Sequence, residues 1–268
     1  MTASEDLFVA WRLDPSACRA AEVARAANPL LSPGRPPAGV RFLRDGCTVL
    51  AAGPLMEGAL PLLRLGPAGL GVCETLLMKG GDAKDAIEVD DGGGASGAGS
   101  PSNLIMAAAP NRAFLWDRRA GGQPCARLAL QGITALASVV DDAAGEFGGG
   151  DGGGDAAGGG WHGHLPSFAA YPVLLAAAGS RVHVYDVRRL PQDSAAVKKP
   201  PPALATLTRP PPPHAGEAPP APRDTPRDTP REASFTTLAM AGGAVVAGDM
   251  EGQICVWDVH KETTTQVP

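Results

Sequence analysis

The chain has 268 residues and a formal net charge of −5, without the clustered basic residues a nucleic-acid ligand requires, so no nucleic-acid partner is expected. No run of about 18 apolar residues occurs, and the N-terminus MTASEDLFVAW has acids where a secretory leader has bases, so neither membrane insertion nor export is expected. The five cysteines, at 18, 47, 73, 125 and 255, are odd in number and form no CxxC pair, which argues against a disulfide framework and for a reducing compartment, cytoplasmic or nuclear.

In chain order, LFVAWRLD at 7–14 is the first strand-like segment, rich in aromatic and branched apolar residues. VRFL at 40–43 is a short strand. TVLAAGPLMEGALPLLRL at 48–65 reads as a β-hairpin: an apolar run shrinking to Ala and Gly, a turn through Glu57-Gly58, then a second apolar run. LGVCETLLM at 70–78 is a strand that suits either edge of a sheet. Residues 80–102 are acidic and rich in Gly and Ser, and are expected to be a disordered insert, because such a composition buries too little apolar surface to offset chain entropy.

A second hairpin follows, LIMAAAPNRAFLWDR at 104–118, and then the strands PCARLAL at 124–130 and GITALASVV at 132–140. Residues 141–164 form a second expected insert, with 11 glycines in 145–163. VLLAAAGSRVHVYDV at 173–187 is a third hairpin. Residues 191–232 form the third expected insert, with 12 prolines in 200–230, although ALATLT at 203–208 within it has strand character. SFTTLAM at 234–240 precedes the fourth hairpin, in which GGAVVAG and GQICVWDVH flank a turn through Glu251-Gly252. TTTQV at 263–267 can start one more strand. An all-β fold is therefore expected.

The four hairpins repeat one pattern. Three of them end in an aromatic-Asp pair: Trp116-Asp117, Tyr185-Asp186 and Trp257-Asp258. The hairpin at 48–65 has Leu63-Arg64 there, and its Glu57-Gly58 matches Glu251-Gly252. The segment at 7–14, with Trp11-Arg12, looks like the second strand of a hairpin alone. This pattern resembles the WD40-repeat family, whose units each form one four-stranded blade of a β-propeller. Asp117 to Asp186 spans 69 residues and Asp186 to Asp258 spans 72, longer than the family period of about 40–45, and the excess lies in the biased inserts. The family's Gly-His pair occurs once, at Gly163-His164, with Gln131-Gly132 competing for the same role.

The resemblance implies a single repeat region over 1–268, of about four to five recognisable blades interrupted by inserts. Inner strands would be 40–43, 132–140 and 234–240, and outer strands 124–130 and 203–208. It also implies that Trp116, Tyr185 and Trp257 pack between strands, while Asp117, Asp186 and Asp258 cap strand ends. Such rings commonly have about seven blades. An incomplete array is therefore expected: a piece of a longer product, a small divergent propeller, or an arc completed by another chain. The implied function is a non-catalytic protein-interaction scaffold or adaptor within a multiprotein complex, with other proteins as partners and neither cofactor nor small-molecule substrate. The turns inside the hairpins, at Glu57, Arg112, Arg181 and Glu251, would share one rim and are the candidate partner-binding residues.

Other motifs carry less. Residues 92–97 satisfy GxGxxG on paper, but no helix follows to receive a pyrophosphate. His162 and His164 with Asp151 and Asp155 could offer ligands to zinc, yet sit in a glycine loop that is costly to order. Pro210–Pro213 suit polyproline II and hence SH3 or WW grooves. Thr225 and Thr229 each precede a proline, and phosphate there could pair with Arg223, Arg227 and Arg231. The alternatives are thus a proline-rich ligand with phosphorylatable Thr-Pro sites, or an enzyme built on a propeller pocket. The latter needs convergent acid, base or metal residues, and the sequence anchors none. Arg118-Arg119 and Arg188-Arg189 read as solvated charges at sheet edges.

Overall fold

The structure is a computed structural model that describes residues 2–3, 7–14, 16–27, 35, 37–79, 81–89, 102–138, 172–192, 199–209, 233–241, 244–258 and 263–267. Among these, the fold is all-β, in five antiparallel sheets whose strands follow sequence order. The first sheet holds β1 (Thr2–Ala3), β2 (Leu7–Asp14) and β3 (Arg19–Ala27). The second holds β4 (Gly39–Phe42), β5 (Thr48–Ala52), β6 (Ala59–Gly66) and β7 (Gly69–Leu77). The third holds β8 (Asp85–Val89), β9 (Leu104–Ala109), β10 (Arg112–Asp117) and β11 (Ala126–Leu128). The fourth holds β12 (Ile133–Ser138), β13 (Val173–Ala178), β14 (Arg181–Asp186) and β15 (Ala205–Thr208). The fifth holds β16 (Phe235–Ala241), β17 (Ala244–Asp249), β18 (Ile254–Asp258) and β19 (Thr263–Val267). None of the sheets closes into a barrel. No helix among the described residues is long and apolar enough to cross a membrane.

All four expected hairpins form, as the middle strands of the four four-stranded sheets. The strand at 70–78 is an outer one, pairing with β6 from Ala59↔Leu77 to Gly66↔Gly69. Three expectations need correction. The insert placed at 80–102 starts too early, because Asp85–Val89 is β8, the first strand of the third sheet. Its two acids mimic a polar linker, but in the fold each is met by hydrogen-bond donors. The insert placed at 191–232 contains β15, which pairs with β14. The segment at 7–14 is not a lone strand: it lies between β1 and β3, and the alanine-rich RAAEVARAA of β3 is held extended by an eight-pair register with β2.

The sheets stack face to face, and strand alternation decides which neighbour each side chain meets. In the third sheet, Ile105, Ala107, Phe114 and Trp116 join the core of the first two sheets. Met106, Ala108, Ala113 and Leu115, on the opposite face, pack with Leu136, Leu174, Ala176 and Tyr185 of the fourth. The other face of the fourth sheet meets Phe235, Val245, Cys255 and Trp257 of the fifth. Alanines on the second strands leave room that aromatics on the third strands fill, as where Phe114 lies opposite Ala107. Phe235 and Trp257 meet edge to face, with ring centroids 5.6 Å apart.

From the second sheet to the fifth, neighbouring sheets also touch through their first strands, whereas the first sheet meets the second through β3 and β7. The Ser138 hydroxyl of β12 donates to the Glu88 carbonyl of β8 at 2.8 Å, and the Thr134 hydroxyl donates to the Phe235 carbonyl of β16. Both β12 and β16 have a register shift at their start, between Ile133 and Ala135 and between Phe235 and Thr237. In each, the residue inside that shift is a threonine, Thr134 or Thr236.

Candidate functional site

The aromatic-Asp pairs serve the scaffold. Asp117 ends β10 and accepts a hydrogen bond from the Arg119 amide at 3.0 Å, capping the short 3-10 turn at Arg118–Ala120. Asp186 ends β14 and accepts from the Arg188 amide at 3.0 Å, capping the turn at Val187–Arg189. Each also holds the side chain of the same arginine. The Arg119 side chain and amide outweigh desolvation and keep the Asp117 carboxyl below its ordinary value. Burial pushes Asp186 up, but the side chain and amide of Arg188, helped by Arg189, more than reverse it. Of the arginine pairs expected as solvated charges, Arg119, Arg188 and Arg189 are exposed, Arg189 also lying 3.6 Å from Asp186, while Arg118 is partly buried and paired with Glu74 at 2.7 Å. Trp116, Tyr185 and Trp257 are all buried.

The four expected rim residues are exposed, and each sits at the turn between the second and third strands of its sheet. Glu57 lies in the turn at Met56–Gly58 with φ 56°. Arg112 opens β10 and Arg181 opens β14. Glu251 is 3.4 Å from Arg209, which also pairs with Asp249 at 3.1 Å. Antiparallel pairing puts these turns at the end of each sheet where its first strand begins, as Ile133↔Ala178 and Asp85↔Ala108 show. Thr225, Thr229, Gly163-His164, the GxGxxG at 92–97 and the His162/His164 group lie outside the described residues. Among the described residues, no three His, Cys, Asp or Glu side chains gather as a metal site. Cys255 is buried, whereas Cys73 is exposed.

A concave site lies at the opposite end of the sheets, where β4, β8, β12 and β16 finish. It is a cavity of about 230 Å³, with Arg41, Phe42, Arg44, Glu88, Ser138 and Met240 in its wall. Glu88 faces it with both oxygens engaged by backbone: the Arg44 amide donates to Oε2 at 2.7 Å and the Ser102 amide to Oε1 at 2.6 Å. Behind the wall, Asp85 accepts from the Ala86 amide at 2.8 Å and from the Leu136 amide at 2.8 Å. Arg41 Nη2 lies 3.3 Å from both Asp85 oxygens. Burial pushes the Asp85 carboxyl above its ordinary value, more than Arg41 and the two amides pull it down. The site thus has cations on its surface and acids tied to the framework, beside apolar side chains.

Reading the sequence missed this site. Its one trace is a charged residue at the end of each of two short apolar runs, VRFLR and AIE, and the second was assigned to an insert. No family model matches the chain, and comparison with curated proteins finds no similar sequence.

Proposed function

We propose that this chain is a partial β-propeller of the WD40 type and that it acts as a non-catalytic scaffold for other proteins, within a cytoplasmic or nuclear complex. The observation that carries this reading is the repetition of one unit. Three successive four-stranded meanders end their third strand in a buried aromatic and an aspartate, and in two of them the aspartate caps the same kind of turn. From the second sheet to the fifth, the first strands of neighbouring sheets touch one another, as the inner strands of blades around a common axis would. The continuous cores between sheets make a rigid platform, and loops at both ends offer surface for partners.

Affinity purification of the tagged chain from its own cells, with quantitative mass spectrometry, tests the function. A few stoichiometric protein partners are expected, with binding weakened by charge reversal at Glu57, Arg112, Arg181 or Glu251. Recovery of chaperones alone, or turnover of a small substrate by the purified chain, overturns the scaffold reading.

A further inference from the structure

The cavity where β4, β8, β12 and β16 end combines three features that together specify a ligand. The first is an available cation. Arg41 lines the cavity with its side chain 47% exposed, and only Nη2 of its guanidinium reaches Asp85, at 3.3 Å; among the described residues Nε and Nη1 donate to nothing. The second is the state of the neighbouring acids. Glu88 is occupied by two backbone amides, and Asp85 by two more and by Nη2 of Arg41, so the acids engage a single nitrogen of that guanidinium and leave the others to an incoming group. The third is an apolar wall, in which Phe42 and Met240 are the accessible side chains and Ile87 and Leu238 lie buried beneath.

A guanidinium with spare donors matches a carboxylate or a phosphate, and an apolar wall beside it selects an anion carried on an aliphatic frame. A nucleic acid is a poorer match, since it calls for a basic track and the chain is net acidic at −5. Resting on the scaffold reading above, we infer that this cavity binds an acidic peptide segment, Arg41 taking a side-chain carboxylate while the wall takes an adjacent aliphatic side chain. Arg44, on the same wall, adds positive charge. The cavity then adds a partner-binding surface at the end opposite the hairpin turns, distinct from the rim of Glu57, Arg112, Arg181 and Glu251.

The test is fluorescence anisotropy on the full chain with a labelled, C-terminally amidated peptide carrying one glutamate between two leucines, and the same peptide with glutamine. The glutamate peptide is expected to bind at least about tenfold tighter, as a charge-assisted hydrogen bond provides. Arg41→Gln removes that preference, Arg41→Lys keeps part of it, and Arg64→Gln, an exposed charge on β6, leaves it intact. Thermal melts establish that each variant is folded, and Arg41→Lys holds the test open if Arg41→Gln is not. Equal affinity for the two peptides, or no binding by either up to about 1 mM, overturns the inference. So does inorganic phosphate competing as strongly as the peptide, which makes this a simple anion site. Purification from cells separates the two readings. If the Arg41→Gln chain retains every partner, the cavity inference falls and the scaffold stands. If the wild-type chain captures none while the glutamate preference persists, the scaffold falls and the cavity stands.

Discussion

The Asp85 carboxylate of β8 accepts a hydrogen bond from the Leu136 amide of β12 at 2.8 Å, across 51 residues of sequence. With Arg41 of β4 on its other side, this one side chain touches the first strands of three sheets. Asp85→Ala removes the acceptor of the buried Leu136 amide and should cost about 1–3 kcal/mol, the cost of an unsatisfied buried donor. Asp85→Asn should cost less, because its oxygen can still accept. Urea unfolding of the two variants checks the order.

Burial raises the Asp85 carboxyl above 3.8, its ordinary value, so the folded state holds this proton more tightly than the unfolded chain does. The resulting stabilisation is complete below that ordinary value and is lost as pH rises through the folded one. Asp85→Asn does not titrate at this position. The wild type should therefore lose stability relative to Asp85→Asn as pH rises from below 3.8 toward neutrality, which parallel melts at pH 3.5 and pH 7 measure.

The caps behave in the opposite sense. Asp117 and Asp186 titrate below 3.8 in the fold, so they stabilise above that value and the contribution fades as pH falls through the lower folded one. Asp186→Ala should cost about 1 kcal/mol at neutral pH, as loss of a cap does, and its deficit against wild type should shrink on acidification. A deficit that grows as pH falls would contradict this account.

Trp116 is fully buried, and its Nε1 meets no hydrogen-bond acceptor among the described residues. Trp116→Ala leaves a large cavity between the second and third sheets and should cost about 3–5 kcal/mol. Trp116→Phe keeps most of the packing and removes an unsatisfied donor, so it should cost far less than volume alone suggests. Chemical denaturation of both variants separates the cavity effect from the polar one.

Gly58 and Gly252 both adopt positive φ in the turn between the second and third strands of their sheets, yet they should tolerate alanine differently. A Cβ at Gly252, where φ is 81°, has open space, and the cost is left-handed strain of about 1–2 kcal/mol. At Gly58 the same atom would lie 2.2 Å from the Met78 carbonyl oxygen, so the end of β7 must move. Gly58→Ala should lower the melting temperature clearly more than Gly252→Ala, by differential scanning calorimetry.

The hairpins were legible because each combines an apolar run, a turn and a second apolar run within about 15–18 contiguous residues. The aromatic-Asp endings were legible for the same reason, and the capping roles of Asp117 and Asp186 depend on amides only two residues away. Local chemistry alone therefore determined the strand pairs and the repeat.

Tertiary structure decided the rest. Asp85–Val89 looks like linker until Arg41, Arg44, Ser102 and Leu136 bring donors to its acids from 14 to 51 residues away. β3 has an alanine-rich sequence that has no local reason to extend, and its ladder to β2 supplies one. The cavity is assembled from the ends of four strands belonging to four sheets, so no window of sequence contains it. Periodicity reports which face of a strand is buried. Which strands converge, and which charges find partners, is fixed only when distant segments pack.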